Sequence, residues 1–265
     1  MKIDTLLSPQ ELPALALRDL SGTACVVFDI LRATSTFVTA LHHGAEAIIP
    51  VSEIAKAVAL RQQQSDVLLA GERDGIRIRA ALAGGVDFDF GNSPREFMPD
   101  KVRGKTIVST TTNGTRALRA CGDAKMILAG SFLNLSATAK FLTKLQPEEV
   151  LLVCAGTGEG VALEDVLAAG ALIELLVGES PLTPTLSPPR GEGENHSEAA
   201  DDSSQVARQS FLRSKLDLAA AIASSTNGRR LFGIPELRAD VAFCSQRDVF
   251  NLVALMDAGG SLRRI

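Results

Sequence analysis

Residues 24–41 read ACVVFDILRATSTFVTAL and pass from a strand pattern to a helix pattern within a few positions. Cys25–Phe28 is an unbroken apolar run, which is typical of a strand buried on both faces. From Thr36 onward the apolar side chains recur at helical spacing. Asp29, which closes the strand, is therefore expected directly before the N-terminus of a helix.

Polar and charged side chains follow this strand at once. Arg32, Thr34, Ser35 and Thr36 all come within seven residues of Asp29. A helix N-terminus offers free N–H groups and a partial positive charge, both of which bind anions. Arg32 can bind two anionic oxygens at once, and Asp29 can hold a cation beside them. The stretch therefore predicts half of a phosphate site, with a place for a metal ion.

The composition is that of an ordinary globular protein. Of the 265 residues, 46% are hydrophobic and 22% are charged, which is enough for a substantial core in one large domain or two closely joined ones. The formal net charge is −4 and no basic run occurs, so we expect no nucleic-acid partner. Trp and Tyr are both absent, which weakens any mode of binding that stacks bases on aromatic rings.

The sequence predicts a cytoplasmic protein. Residues 1–7 lack the apolar core of a signal peptide, and no stretch approaches the roughly 18 uninterrupted apolar residues of a membrane span. The four cysteines form no C-x-x-C pair, and three of them end or interrupt apolar strands, where buried reduced thiols are common. We expect no membrane partner, and the sequence leaves homo-oligomer formation open.

Strand and helix patterns alternate along the chain. Strands are predicted at Cys25–Phe28, Ala47–Val51, Val67–Ala70, Thr106–Ser109, Met126–Ala129, Val150–Cys154 and Val241–Cys244. Helices are predicted at Thr36–His43, Glu53–Gln64, Gly114–Ala120, Leu135–Leu145 and Leu163–Val177. This alternation predicts an α/β fold with one or more mostly parallel sheets and helices on both faces. Ligands of such folds bind at the carboxyl ends of the strands.

The domain organisation has two unusual features. The strand, Thr-rich turn, helix and strand of residues 26–51 resemble the series over residues 107–129, which suggests an internal duplication. Residues 178–205 are rich in proline, glycine and acids and are predicted to be a disordered insertion, since they bury little apolar surface. Residues 1–265 are otherwise predicted to be a single domain, with a further helix near 211–224.

A second anion-binding stretch is predicted at residues 109–115, which read STTTNGT. It leaves a strand and opens a helix, and glycine lets the backbone approach a ligand closely. The candidate ligand contacts are Thr111, Thr112, Asn113, Gly114 and Thr115. The alternative is a capped helix start that binds nothing. Five hydroxyls together with an asparagine and a glycine favour ligand contact.

Two turns hold further candidates. Glu72 follows the predicted strand Val67–Ala70 in the turn GERDG. Asn92 and Ser93 lie in the turn FGNSP. For each of them the alternative is ordinary turn chemistry without a ligand.

Three more acids are candidate metal ligands. Glu164 and Asp165 come early in a predicted helix, where the helix dipole favours acids in any case. Asp248 comes after the predicted strand Val241–Cys244 and repeats the position of Asp29 at a strand end. A solvated surface acid is the alternative for Asp248.

The candidate ligands are almost all oxygen donors, which indicates Mg²⁺ rather than a softer metal. His42 and His43 fall in a helix and His196 in the predicted insertion, so histidine nucleophiles and histidine-rich metal sites are not expected. No cysteine has an arginine six residues on, and Leu31 breaks the Asp-x-Asp pattern of aspartyl phosphatases. The glycine-rich loop 154–160 matches neither a dinucleotide nor an ATP-binding motif. The common phosphatase designs therefore fail.

Seven motifs in order carry a resemblance to one known family. They are DILRATST at 29–36, GE at 71–72, DFDFGNSP at 87–94, TTNGT at 111–115, GSFLN at 130–134, CAGT at 154–157 and LED at 163–165. With them the chain resembles the 2-phosphosulfolactate phosphatase (ComB-like) family over nearly its whole length outside the insertion. Seven motifs in sequence are far more specific than any one of them.

The resemblance implies an α/β fold particular to the family and an acid-type phosphatase that depends on Mg²⁺. The implied reaction is hydrolysis of (R)-2-phospho-3-sulfolactate to 3-sulfolactate and phosphate, a step of coenzyme M biosynthesis where that pathway exists. The implied partner is thus a small phosphorylated acid. Two alternatives remain open, namely a phosphatase for another small phosphorylated acid and a binding module for phosphorylated metabolites that catalyses nothing.

Each candidate residue receives an expected role. Asp29, Arg32 and Asp165 are expected to be catalytic. The expected metal ligands are Asp29, Glu72, Glu164, Asp165 and Asp248. The expected contacts to phosphate or sulfonate oxygens are Thr34, Ser35, Thr36, Asn92, Ser93, Thr111, Thr112, Asn113, Gly114 and Thr115.

Overall fold

The computed structural model describes residues 1–178 and 201–265, and a ten-stranded mixed sheet runs through them. The strands are β1 (Lys2–Leu6), β2 (Thr23–Phe28), β3 (Ala47–Pro50), β4 (Leu68–Arg73), β5 (Ile76–Arg77), β6 (Thr106–Thr110), β7 (Met126–Gly130), β8 (Glu149–Cys154), β9 (Ala254–Met256) and β10 (Leu262–Arg264). Their order across the sheet is β1-β8-β2-β7-β9-β10-β3-β6-β4-β5.

The sheet contains two parallel groups that run in opposite directions. Strands β1, β8, β2 and β7 are mutually parallel, and so are β3, β6 and β4. Between them the β9–β10 hairpin makes three successive antiparallel pairings, and an odd number of reversals turns the second group against the first. In a flat sheet the carboxyl ends of one group would therefore lie beside the amino ends of the other.

The sheet is curled, so that these opposite ends meet. A Cβ placed on Gly114, which follows β6 of the second group, would lie 2.7 Å from Oδ2 of Asp29, which follows β2 of the first. Natural sheets twist in one sense, and curvature around a buried element accumulates from that twist. The curl thus brings together residues that the strand directions alone would separate.

Ten α-helices surround or fill this sheet in the described part of the chain. They are α1 (Ala33–His42), α2 (Ile54–Gln63), α3 (Pro99–Val102), α4 (Gly114–Ala120), α5 (Leu135–Leu145), α6 (Leu163–Val177), α7 (Asp202–Ser214), α8 (Leu218–Ser224), α9 (Thr226–Phe232) and α10 (Arg238–Cys244). Short 3₁₀ helices lie at Pro9–Leu17, Pro94–Glu96, Phe132–Asn134 and Lys215–Asp217.

Helix α1 lies inside the curl. Every residue from Ala33 to Leu41 is buried, and α1 contacts strands of both groups. Its Phe37 and Leu41 join a core cluster that includes Cys25 from β2 and Ile107 from β6. The sequence predicted only one apolar face for this helix, because its threonines and serine read as polar. Their hydroxyls form hydrogen bonds inside the protein, which makes their burial tolerable.

Two outer clusters cover the other face of the sheet. One packs Val26 and Phe28 of β2 against α5 and α6, with Phe211 of α7 alongside. The other packs Leu69 and Val108 of β4 and β6 against Ala57 of α2. Helices therefore lie on both faces, and the predicted α/β fold with a large, mostly parallel sheet is confirmed.

Six of the seven predicted strands are present, and the seventh is wrong. Val241–Cys244 is the end of helix α10. Val241 and Cys244 are both buried while Ala242 is exposed, a spacing of three that suits a helix face. A four-residue apolar run cannot distinguish a strand from a buried helix, so the pattern misled.

The predicted disordered insertion ends too late. Helix α7 begins at Asp202, and the Asp201 side chain caps it by accepting a hydrogen bond from the Ser204 amide at 2.8 Å. The predicted boundary at 205 thus falls inside a helix, and residues 179–200 lie outside the described residues. The helix expected near 211–224 is found as the end of α7 and the whole of α8, separated by a 3₁₀ turn.

The proposed internal duplication stays a prediction. The unit β2–α1–β3 runs from the first parallel group to the second, and β6–α4–β7 runs back from the second to the first. The two units therefore make equivalent crossings in opposite directions. Equivalent topology is what a duplication would leave, but it does not by itself demonstrate one.

Candidate active site

A cavity of about 350 Å³ opens where the loops after β2, β4, β6 and β8 meet helix α9. Ten of its fifteen lining residues are polar or charged, and these include two arginines and three acids. The lining residues are Asp29, Leu31, Arg32, Glu72, Asp74, Gly75, Asn92, Thr112, Asn113, Gly156, Thr157, Gly158, Asn227, Arg230 and Leu231. The site thus lies at the strand ends where ligands of α/β folds bind.

Asp29 is held at the N-terminus of α1. Its Oδ1 accepts a hydrogen bond from the Ala33 amide at 3.0 Å, and the Gly114 amide is a second donor. Burial raises the pKa of Asp29 to about 7, and the charges of Glu72 and Glu164 push in the same direction against those amides. Asp29 is thus a buried acid whose ionisation is disfavoured by its burial and by the neighbouring acids.

Glu72 ties two cavity loops together. Its Oε1 accepts hydrogen bonds from the amide and the hydroxyl of Thr112, each at 2.9 Å, and its Oε2 accepts from the Gly75 amide at 2.7 Å. The turn after β4 is therefore joined to the loop after β6. Glu72 is 8% exposed and, like Asp29, lines the cavity.

Arg32 forms an ion pair at the wall of the cavity. Its Nη1 donates to Oδ2 of Asp240 at 2.8 Å, and its Nη2 donates to the carbonyl oxygen of Gly75 at 2.8 Å. The other oxygen of Asp240 accepts a hydrogen bond from the Ser93 hydroxyl at 2.7 Å. Ser93 therefore supports Arg32 through Asp240, whereas its neighbour Asn92 lines the cavity.

The hydroxyls of residues 34–36 point into the protein. Thr34 donates to the Asp29 carbonyl at 3.0 Å, Ser35 to the Ile30 carbonyl at 2.9 Å and Thr36 to the Asn92 carbonyl at 2.9 Å. These three residues do not line the cavity. Their bonds fix the turn that presents Asp29 and Arg32.

The second predicted stretch divides between the cavity and the helix cap. Thr112 and Asn113 line the cavity, and Asn113 donates to the Gly156 carbonyl at 2.5 Å. Thr111 and Thr115 instead bond each other, since the Thr115 amide donates to the Thr111 hydroxyl at 3.2 Å and the Thr115 hydroxyl to the Thr111 carbonyl at 2.8 Å. The stretch therefore contributes two residues to the cavity lining and two to the start of α4, and ligand contact by Thr112 and Asn113 stays a prediction.

Asp165 lies behind the cavity wall and connects two of its loops. Its Oδ1 accepts from the Ile30 amide at 2.8 Å and its Oδ2 from the Gly156 amide at 3.0 Å. Burial raises its pKa well above the usual range, and the charges of Glu164 and Asp29 add to the effect. Asp165 does not line the cavity.

Glu164 is buried beside it, with 1% of its surface exposed. Its Oε1 accepts a hydrogen bond from Asn227 at 2.7 Å, while its Oε2 has no hydrogen-bond partner in the described part of the chain. Glu164 also lies outside the cavity lining.

Asp248 belongs to a different place. Its Oδ1 accepts a hydrogen bond from the Ser136 amide at 2.6 Å, in the first turn of α5. The expectation that it follows a strand is wrong, because the preceding segment is helix α10. Asp248 does not line the cavity, and the structure gives it a helix-capping contact.

Helix α9 supplies the cavity residues that the sequence did not single out. Asn227, Arg230 and Leu231 line the cavity, although they come more than 150 residues after Glu72. No motif marks them, and Asp240 comes directly before Val241–Cys244, which was predicted to be a strand.

The described ranges contain no group of three or more His, Cys, Asp or Glu side chains that could hold a metal ion. Among the helices of residues 1–178 and 201–265, none combines the length and the apolar character that crossing a bilayer requires. All four cysteines are buried and free, whereas buried reduced thiols were predicted for three of them.

A curled α/β sheet with an acid- and arginine-lined cavity at its strand ends defines an enzyme-like site for a small anionic ligand. The chain belongs to the 2-phosphosulpholactate phosphatase family, whose model matches residues 7–259. It is therefore a member of a family of phosphatases, and the resemblance seen in the seven motifs is confirmed.

Several relatives named "Probable 2-phosphosulfolactate phosphatase" are similar to the chain. A protein of Thermotoga petrophila is 37% identical over 234 residues, 88% of this chain and 89% of that protein. One of Carboxydothermus hydrogenoformans is 36% identical over 253 residues, 96% of this chain and 92% of that protein. One of Caldanaerobacter subterraneus is 45% identical over 161 residues, 60% of this chain and 64% of that protein.

Proposed function

We propose that this protein hydrolyses (R)-2-phospho-3-sulfolactate to 3-sulfolactate and phosphate with the help of Mg²⁺. The observation that carries the proposal is the contact of Asp29 with the start of α4, at Gly114, beside a cavity that Asp29, Thr112 and Asn113 line in a phosphatase-family chain. Where coenzyme M is made, this reaction is a step of its synthesis. The proposed compartment is the cytoplasm.

The cavity acids fit a magnesium ion. Asp29 and Glu72 are the two buried carboxylates that line the cavity. Burial is the largest cause of the raised pKa of Asp29, and the charge of Glu72 raises it further. Mg²⁺ binds proteins through one or two carboxylates and takes its remaining ligands from waters and substrate phosphates. A two-carboxylate site therefore needs no cluster of three acids. The ion would neutralise phosphoryl charge and lower the pKa of an attacking water.

The protein side of the mechanism is positioning and charge. Arg32 is fixed by Asp240 and by the Gly75 carbonyl, so its guanidinium stands at the cavity wall without reorganising. A preorganised cation of this kind stabilises charge that grows on phosphoryl oxygens during hydrolysis. Asp165, held by the Ile30 and Gly156 amides, keeps two cavity loops in register, and we assign it a positioning role.

Phosphate release from a panel of small phosphorylated acids tests the proposal. The purified protein is assayed on 2-phospho-3-sulfolactate, 2-phospholactate and 3-phosphoglycerate, with Mg²⁺ and with EDTA. We expect release that is fastest with the first substrate and that EDTA abolishes. Faster release from another acid would show that this acid, and not 2-phospho-3-sulfolactate, is the preferred substrate. Activity in EDTA would show that the reaction does not need Mg²⁺. A thermal shift with ligand but no phosphate release at any metal concentration would leave only a binding module.

A further inference from the structure

The two arginines of the cavity differ in what surrounds their charges. Arg32 is 3% exposed and forms an ion pair with Asp240, which is fully buried. Arg230 is exposed and donates a hydrogen bond to the carbonyl oxygen of Asp74, and within the described ranges it has no ion pair with a carboxylate. Among the described residues that line the cavity, Arg230 is thus the arginine that has no carboxylate partner.

The backbone that carries Arg230 is firmly anchored. Asn227, one turn earlier in α9, donates to Oγ1 of Thr157 at 2.6 Å and to Oε1 of Glu164 at 2.7 Å. Leu231 is 5% exposed and packs in the core. Gly228 approaches α8 so closely that a Cβ there would lie 2.1 Å from the Ile222 carbonyl oxygen. Helix α9 therefore presents the Arg230 side chain from a fixed position.

Both guanidinium groups border the same loop. Arg32 donates to the carbonyl oxygen of Gly75, and a Cβ on Gly75 would lie 3.7 Å from Nη2 of Arg230. The Gly75 amide in turn donates to Glu72. The guanidinium of Arg230 therefore lies beside the same Gly75 loop that contacts Glu72 and Arg32, the residues proposed to act on the phosphoester.

We infer that Arg230 binds the second anionic group of the substrate, a carboxylate or sulfonate beside the phosphoester, and so sets the preference for phosphoesters of anionic acids. The inference rests on the proposed function of the same cavity. A planar guanidinium offers two parallel N–H donors to such a group, which an ammonium does not. The cavity would then use the Asp29 side for the phosphoryl group and the α9 side for the rest of the molecule.

The test compares enzyme variants across substrates that differ in their anionic groups. The value of kcat/KM is measured for wild type, Arg230→Gln and Arg230→Lys on 2-phospho-3-sulfolactate, 2-phospholactate and isopropyl phosphate. A hydrogen bond to a charged group contributes about 1.5–3 kcal/mol, so we expect Arg230→Gln to lose about 10- to 100-fold on the sulfolactate ester, mainly through KM. Isopropyl phosphate lacks both acid groups and should lose little. Arg230→Lys should recover only part of the loss.

Arg229→Gln is the matched control. Arg229 is its neighbour in α9, is equally exposed and donates to the Ser224 carbonyl, but it does not line the cavity. This variant should keep wild-type values on all three esters. An equal loss on all esters in Arg230→Gln, or no loss on any, would overturn the inference and leave the proposed function standing.

A binding measurement covers the case in which the proposed function itself fails. If wild type hydrolyses none of the esters, calorimetric titration with 3-sulfolactate decides about Arg230 separately. Binding to wild type that Arg230→Gln weakens about 10-fold or more supports the subsite. Equal binding by both proteins, or no binding by wild type, overturns it.

Discussion

Arg32 and Asp240 form a buried ion pair between residues 208 positions apart in the chain, with Nη1 and Oδ2 separated by 2.8 Å. Their side chains are 3% and 0% exposed. The pair connects the turn before α1 to helix α10 and holds the guanidinium at the cavity wall. Stability and activity therefore depend on the same contact.

Asp240→Ala should lower the free energy of unfolding by about 3–5 kcal/mol, because it leaves the Arg32 charge buried and unpaired. The double variant Arg32→Met/Asp240→Leu should recover most of that stability, since neither charge remains, yet it should stay inactive. Urea denaturation of the single and double variants measures the effect.

Arg95→Ala is the control for this pair. Arg95 reaches the same carboxylate at 3.4 Å but is 43% exposed, so its loss should change stability by less than about 1 kcal/mol. If the losses of Arg32 and Asp240 simply add in the double variant, the two charges do not support each other and this account of the pair fails.

Asp29→Asn should lower turnover by about 100- to 1000-fold while the protein stays folded, since it removes a charged group that the proposed mechanism places beside the phosphoryl group. The amide oxygen can still accept the hydrogen bond from Ala33, so the cap of α1 is retained. Phosphate release together with far-UV circular dichroism separates lost chemistry from lost structure.

Asp248→Asn is the matched comparison, because the sequence predicted the same metal-binding role for both aspartates. Asparagine caps helices well and tolerates the positive φ of 55° at this position, so activity and stability should both stay near wild type. Wild-type turnover in Asp29→Asn, or a dead Asp248→Asn, would reverse the assignment.

The sequence predicted the local parts of this site because they depend on neighbouring residues. The β2–α1 junction places Asp29 and Arg32 together through the change from strand to helix pattern alone. The start of α4 was predicted at its observed first residue, Gly114, for the same reason. Motifs of this kind report a turn and a helix N-terminus, which are set within about ten residues of chain.

The parts that were missed depend on contacts across the whole fold. Arg230 lines the cavity and Asp240 contacts Arg32 only because of how α9 and α10 pack in the fold, and their neighbours in sequence carry no sign of that. The opposite direction of the two parallel groups depends on the pairings of β9 and β10, which are three residues each, too short for a periodic pattern to detect. The hydroxyls of Thr34–Thr36 were read as ligands because a sequence cannot show which way a side chain points.

Glu164→Gln should raise the free energy of unfolding in EDTA by about 1 kcal/mol or more. Glu164 is 1% exposed, its Oε2 has no partner among the described residues, and its charge adds to the burial that raises the pKa of Asp165. A neutral amide is less costly to bury than a carboxylate, and its oxygen keeps the bond from Asn227. Chemical denaturation at about pH 8, where carboxyl groups are normally ionised, measures the difference.

The same variant tests the metal-binding role that the sequence predicted for Glu164. Because Glu164 lies outside the cavity lining, we expect Glu164→Gln to keep its turnover and its dependence on Mg²⁺ concentration. A large rise in the Mg²⁺ concentration needed for half-maximal activity would show that Glu164 holds the ion after all.

Gly114→Ala should lower both activity and stability, because the added methyl group has no space. It would lie 2.7 Å from Oδ2 of Asp29 and 2.7 Å from Cβ of Ala33, closer than real Cβ contacts allow. Overpacking of this kind costs about 1–3 kcal/mol, and the displaced carboxylate should lower kcat/KM by at least about 10-fold. Gly160→Ala is the control, since its Cβ would meet only the Thr157 carbonyl oxygen at 3.5 Å. Thermal denaturation and phosphate release are measured for both variants. A fully active, fully stable Gly114→Ala would mean that the start of α4 does not fix Asp29. The contact between these two strand ends would then not be needed for catalysis.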